Sequence, residues 1–284
     1  MLVELAIGDA YGAGFEYASD KIVHNHNDLS GYIQHPRHAI PPGCYTDDTQ
    51  MSIAIAESIV SGESWTPRNL ASRFLDTFKR DPREGYAGGF YAFLQQCPDA
   101  DAFLRDIRPE SDKSGAAMRA IPLGVFPSID TVIKRCTVQA KLTHDTPDGV
   151  NAALAASLMA HYFLYNLGPK AELSAFLTQH VAGPWTPTWK GKVSAQGWMS
   201  VQAALTAVMS SNSLSEILKA SIAFTGDVDT VATIALGAAS CAQEVANDLP
   251  QLLYNRLENN AYGRDYLLHL DKQLLMLVEY RGAN

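Results

Sequence analysis

Two short stretches carry the residues best suited to chemistry. "PPGCYTDDTQMSIAIAESIV" (41–60) places Asp47 and Asp48 side by side between Thr46 and Thr49, at the head of an amphipathic pattern. "FTGDVDTVATIALGAAS" (224–240) places Asp227, Asp229 and Thr230 at the head of an apolar one. Asp and Thr cap helices by accepting from first-turn amides, and the helix dipole favours negative charge there. One acid is enough for that task. If the two helix starts meet in the fold, four carboxylates converge with threonine hydroxyls. Like charges that close cannot all stay ionised without cations. Oxygen donors of this kind suit Mg²⁺, Mn²⁺ or Ca²⁺ rather than zinc. The stretches therefore allow two readings, unrelated helix caps or one hard-cation site, and their pairing favours the second.

Three further groups could join them. "IGDAYGAGFEY" (7–17) combines glycines that permit close backbone turns with Glu16, a carboxylate placed to reach a reacting atom. Its GxxxG spacing also fits plain helix packing. "SGAAMRAIPLG" (114–124) is a small-residue run leading into a helix, suited either to phosphate or to close packing. His24, His26, His35 and His38 cluster near Cys44, but their spacing matches no zinc pattern. His161, His180 and His269 lie in helical patterns and read as structural.

The elements that must position these groups are helices. "TQMSIAIAESIVSG", "TPRNLASRFLDTFKRDP", "DTVIKRCTVQAKLTH", "TPDGVNAALAASLMAHYFLYNLG", "AELSAFLTQHVAG", "SAQGWMSVQAALTAVMSS", "SLSEILKASIAF", "VDTVATIALGAASCAQEVAN" and the C-terminal "AYGRDYLLHLDKQLLMLVEY" all read as helical. Sustained β-branched alternation is rare. Residues 18–45 and 82–114 look irregular, and loops of that length tend to be lids or binding segments. No repeat or linker divides the chain, so one all-α domain spanning 1–284 is expected, a multi-helix bundle with Ala-rich inner helices.

Composition narrows the function classes. The chain has 284 residues, 47% hydrophobic and 18% charged, with a net charge of −8, which argues against broad electrostatic binding of nucleic acid. No apolar run reaches the ~20 residues that cross a bilayer. The N-terminal stretch lacks a basic region before its apolar start. Cys44, Cys97, Cys136 and Cys241 form no CxxC pair, which fits reduced thiols in a cytoplasm.

"GDAYGAGFE", "TDDT", "SGAAMRAIPLG", "THDTPDGVNAALAAS" and "GDVDTVATIALGA" occur in the order found in ADP-ribosylglycohydrolases, and the chain resembles that family over residues 4–243. The resemblance implies an orthogonal helical bundle around two Mg²⁺ ions, with Mn²⁺ as a substitute. It implies Thr46, Asp47, Asp48, Asp227, Asp229 and Thr230 as metal ligands. Ser111, Ser114, Gly115, Ala116 and Met118 correspond to the segment holding diphosphate and ribose, His144 to a groove histidine, and Glu16 to a mobile glutamate. It further implies a monomeric hydrolase of the bond between ADP-ribose and a modified acceptor, foremost protein arginine, with Asp47, Asp48 and Glu16 as catalytic groups. Serine or nucleic-acid acceptors, an ADP-ribose-binding module without turnover, and a toxin-immunity protein are the alternatives. Two positions depart from the family pattern: Thr225 replaces a glycine, and Ser114 stands where Asn is common. Tyr86, Phe90, Trp185, Trp189 and Trp198 are the aromatics open to adenine.

Overall fold

The threonines and prolines that should start helices do so. Thr46, Thr66 and Thr146 each accept a first-turn amide, from Asp48, Asn69 and Gly149, and Pro67 and Pro147 occupy the first helical position. In a computed structural model, which describes residues 1–279, the α-helices run in the following order. First come α1 (Leu2–Ala13), α2 (Asp20–His26), α3 (Asp47–Val60), α4 (Pro67–Arg80) and α5 (Gly88–Gln96). Next are α6 (Ala100–Asp106), α7 (Gly115–Met118), α8 (Ile129–Lys141), α9 (Pro147–Leu164) and α10 (Leu173–His180). The last are α11 (Gly197–Ser210), α12 (Leu214–Ala223), α13 (Val228–Ala239), α14 (Gln251–Arg256) and α15 (Arg264–Glu279). No β-strand occurs among the described residues, so the all-α expectation holds. Tyr280, the end of the expected C-terminal helix, lies outside them.

The two segments read as irregular each contain short helices, α2 in the first and α5 and α6 in the second. These span 7, 9 and 7 residues, and α2 and α5 bury one residue each, Val23 and Leu94. One or two turns with so little apolar face leave no periodicity to detect.

At the centre lie α1 and α13. Every residue of α13 is buried, as is all of α1 except Glu4. A helix that is apolar all round belongs in the middle of a bundle. Gly8 and Gly12 explain how close the two approach. A Cβ on Gly8 would lie 2.5 Å from the Ala232 carbonyl oxygen, and one on Gly12 would lie 2.4 Å from the Asp229 Cα. The GxxxG spacing is thus helix packing, and its product is positional, because it seats Asp229 directly against α1. The Ala-rich α9, α11 and α12 pack around α13, and α3 and α15 lean on α1 from another side.

Candidate active site

The two acidic helix starts meet. Thr230, in the first turn of α13, borders the same cleft as Asp48, in the first turn of α3. Asp47, Asp48, Asp227 and Asp229 are all buried and all border one cleft of about 300 Å³. Oxygens of Glu16, Asp227 and Asp229 lie within 4.8 Å of one another, with Asp47 and Asp48 on the wall beside them.

These acids do not cap their helices. Thr46 is the N-cap of α3, and Asp227, at the start of α13, makes no side-chain cap bond. The α3 start is instead held by Asp9, a buried acid in the middle of α1. Asp9 accepts from Thr46 N (2.9 Å) and Oγ1 (2.8 Å) and from Thr49 N (2.9 Å) and Oγ1 (2.6 Å). The Thr46 hydroxyl expected on a metal thus gives its proton to Asp9 and keeps an oxygen lone pair for a ligand. Gly85, at φ +111°, packs on the other side, where a Cβ would fall 2.3 Å from Asp47 Oδ1. Asp227 takes a hydrogen bond from the hydroxyl of Ser200 at 3.3 Å, and Ser114 lines the cleft with it.

Electrostatics give the cluster its character. None of the five aspartates forms an ion pair with Lys, Arg or His among the described residues. Asp48 Oδ1 and Asp229 Oδ1 are buried without any hydrogen-bond partner. Burial first, then the charge of neighbouring carboxylates, pushes the carboxyls of Asp47, Asp48 and Asp229 well above the usual range. Burial and Glu16 push Asp227 up to about 7. Buried acids with orphaned oxygens and no balancing cation are what a hard divalent ion would satisfy.

The metal-free protein should therefore lose stability as pH rises. An unfolded aspartate titrates near ~3.9, so between there and about 7 the folded chain holds the extra proton on Asp227, and stability falls with pH across that window. The other three acids extend the loss to higher pH. In EDTA the melting temperature should drop by ~5 °C or more from about pH 5 to pH 8, and saturating Mg²⁺ should flatten the trend. A level profile in EDTA would contradict this charge assignment.

The remaining expected residues distribute as follows. Ser111, Ser114, Gly115, Met118 and His144 line the cleft, whereas Ala116 is fully buried behind it, its carbonyl accepting from Gln139. Glu16 lines the cleft and is anchored to the segment expected to act as a lid. Nδ1 of His35 accepts from the backbone N–H groups of Arg37 and His38, so Nε2 donates to Glu16 at 2.7 Å, and Arg37 adds a bond at 3.2 Å. Both nitrogens of His35 are thus spent, and no His/Cys metal cluster forms with His24, His26, His38 or Cys44 among the described residues. Of the aromatics, Tyr86 and Phe90 line the cleft. Trp185 is a core residue, while Trp189 and Trp198 pack edge to face on each other elsewhere. Thr225 sits at φ +63°, which explains the glycine usual there, since a β-branched residue is strained in that region. All four cysteines are free, and no helix among the described residues is long and apolar enough to cross a membrane.

Sequence reasoning missed Asp9, Gly85, Arg119 and Thr143. Asp9 had a readable signal, an acid inside an otherwise apolar helical run. Gly85 and Arg119 acquire their roles only through contacts distant in sequence, and Thr143 through its bond from Arg119.

The comparisons agree with this geometry. The family model for ADP-ribosylglycohydrolase matches residues 1–284, and the chain belongs to that family. It is 29% identical to ADP-ribosylhydrolase ARH3 of Bos taurus over 177 residues, 56% of this chain and 47% of that protein. The chain thus spans about half the length of such animal relatives. It is 25% identical to ADP-ribosyl-[dinitrogen reductase] glycohydrolase of Rhodospirillum rubrum over 275 residues, covering 89% of this chain and 87% of that one. A solved structure titled "ADP-ribosylglycohydrolase-related protein complex" superposes with a TM-score of 0.73 at 22% identity, covering 98% and 95% of the two chains, and so shares the fold.

Proposed function

We propose that this chain is a hydrolase that cleaves the glycosidic bond between ADP-ribose and a modified acceptor, with protein arginine the first acceptor to test. The observation that carries the reading is the joined pair of helix starts: Asp48 and Asp229 border one cleft, each with a buried, orphaned oxygen and no protein cation to balance it. Asp47, Asp48, Asp227 and Asp229, with Thr46, Thr230 and Glu16, would hold the metal, read as two Mg²⁺ ions with Mn²⁺ able to replace them. When bound, such ions supply Lewis acidity and fix the hydroxyls of the distal ribose.

The chain's own groups do the rest. Cleavage at C1″ of that ribose develops oxocarbenium character, and the flanking carboxylates stabilise it. Asp47 or Asp48 moves the proton between water and leaving group. Glu16, held by His35 and Arg37, closes the cleft wall next to Asp227 and Asp229. Tyr86 and Phe90 offer apolar faces for the adenine ring.

A hydrolysis panel tests the reading. Proteins carrying ADP-ribosyl-arginine or ADP-ribosyl-serine, and ADP-ribosylated nucleic acid, are incubated with the protein in Mg²⁺ and in EDTA. Release of ADP-ribose from the arginine substrate, abolished by EDTA, is expected. Release from the serine or nucleic-acid substrate alone would move the acceptor. No release from any, with ADP-ribose still bound, would make the protein a binding module.

A further inference from the structure

Behind the cleft, three side chains form a one-way hydrogen-bond chain. Arg119, just past α7, is 1% exposed. Its Nε donates to Gln139 Oε1 at 2.7 Å, and its Nη2 donates to the Gln139 carbonyl at 3.1 Å and to Thr143 Oγ1 at 2.8 Å. The ring of Phe74 faces its guanidinium at 4.6 Å, and no carboxylate pairs with it among the described residues. A guanidinium can only donate, so Thr143 Oγ1 must accept from it. The Thr143 hydroxyl has no other acceptor among the described residues, so its one proton goes to His144 Nδ1, 2.7 Å away. Nδ1 is thereby an acceptor, and the ring proton belongs on Nε2. Nε2 has no hydrogen-bond partner among the described residues. It sits in the cleft beside Gly115, where a Cβ would approach His144 Cε1 to 2.9 Å and Nε2 to 3.2 Å.

We propose that Arg119 and Thr143 are positioning residues that hold His144 as a neutral imidazole offering Nε2–H to the cleft. The ligand group seated beside Gly115 is then a hydrogen-bond acceptor. Under the ADP-ribose reading, on which the ligand's identity rests, it is a phosphate oxygen of the diphosphate.

The surroundings reinforce the lock. To protonate Nδ1, Thr143 would have to turn its hydroxyl away and accept from Arg119 and the ring together. The charges that act on the ring are Arg119 and Lys113, both positive; Arg108, also positive, lines the same cleft, and Glu110, bridged to His144 through the backbone, is exposed to solvent. Asp145, next in the chain, is drawn to Lys141 at 2.9 Å, and Asp148 of α9 faces a separate hollow with Trp185 and Trp198. Burial, then Arg119 and Lys113, hold the imidazole down to about 3. His144 therefore donates at every pH at which an ordinary histidine would switch charge.

Nitrogen-15 NMR of His144 and calorimetric ADP-ribose binding test the lock on the full chain in Mg²⁺. The wild type should show the Nε2–H tautomer, no titration above about pH 5, and an affinity independent of pH between about 5.5 and 8. Thr143→Val keeps the shape and removes the hydroxyl. It should mix the tautomers, bring titration into about pH 5–7, and weaken ADP-ribose binding at least ~5-fold with a new pH dependence. Thr143→Ser should restore all three properties, which a purely structural role would not require. An Nδ1–H tautomer in the wild type, or a Val variant unchanged in tautomer and pH profile, would overturn the proposal. A locked Nε2–H tautomer in a protein that fails to bind ADP-ribose would support the lock and defeat only the ligand reading.

Discussion

Asp48→Asn should lower hydrolysis by at least ~10², the scale for losing a positioned acid–base or metal group, and should raise the melting temperature of the metal-free protein. Both directions follow from the same surroundings. Asp48 is buried beside Asp9, Asp47 and Asp227, with Oδ1 unpartnered and its carboxyl pushed well up. Asn keeps the size, while the like-charge repulsion disappears. The helix survives because Thr46, not Asp48, is the cap. Activity assays and thermal scans in EDTA check the pair of effects. Wild-type turnover, or a lower melting temperature without metal, would show that the carboxylate serves the fold and not the chemistry.

The same substitution one layer deeper should do the opposite. Asp9→Asn should lower the melting temperature by ~5 °C or more and weaken metal binding at least ~10-fold. Asp9 is also crowded by carboxylates, and burial pushes its carboxyl up, while the donors from Thr46 and Thr49 pull it down. The donors decide the outcome. They converge on both oxygens, and an Asn amide would present N–H groups to one pair of them. The threonine hydroxyls can turn and accept, but a backbone N–H of Thr46 or Thr49 cannot, and each such buried donor facing a donor costs about 1–3 kcal/mol. With Thr46 and Thr49 released, the first turn of α3 loses its anchor and Asp48 its position. Thermal scans with and without metal, and isothermal titration of Mg²⁺, give the comparison. A stabilised Asp9→Asn would mean that repulsion outweighs the clamp.

The contrast shows what the amino-acid order reveals. The helices of the core were legible because their caps and apolar periods are local, as in Thr66–Pro67 leading α4 and Thr146–Pro147 leading α9. The acids at 47–48 and 227–229 were legible as a pair, since nothing local needs so many. Their meeting was expected from that pairing and from the family resemblance, but the packing that produces it, Gly8 and Gly12 letting α1 touch α13, was not. The capping reading of Asp47 and Asp48 fails for the same reason: the groups that hold α3 are Thr46 and Asp9, and Asp9 is 37 residues away in sequence. Arg119 and Thr143 were hidden more deeply, since a buried arginine satisfied by neutral partners has no signature in sequence.

Anomalous diffraction from crystals grown in Mn²⁺ is the most direct test of the central claim, that the starts of α3 and α13 form one metal site. Two peaks are expected between Asp48 and Asp229, each at ~2.1–2.2 Å from aspartate oxygens of both stretches. No peak there at saturating Mn²⁺, or peaks bound to one stretch alone, would contradict it.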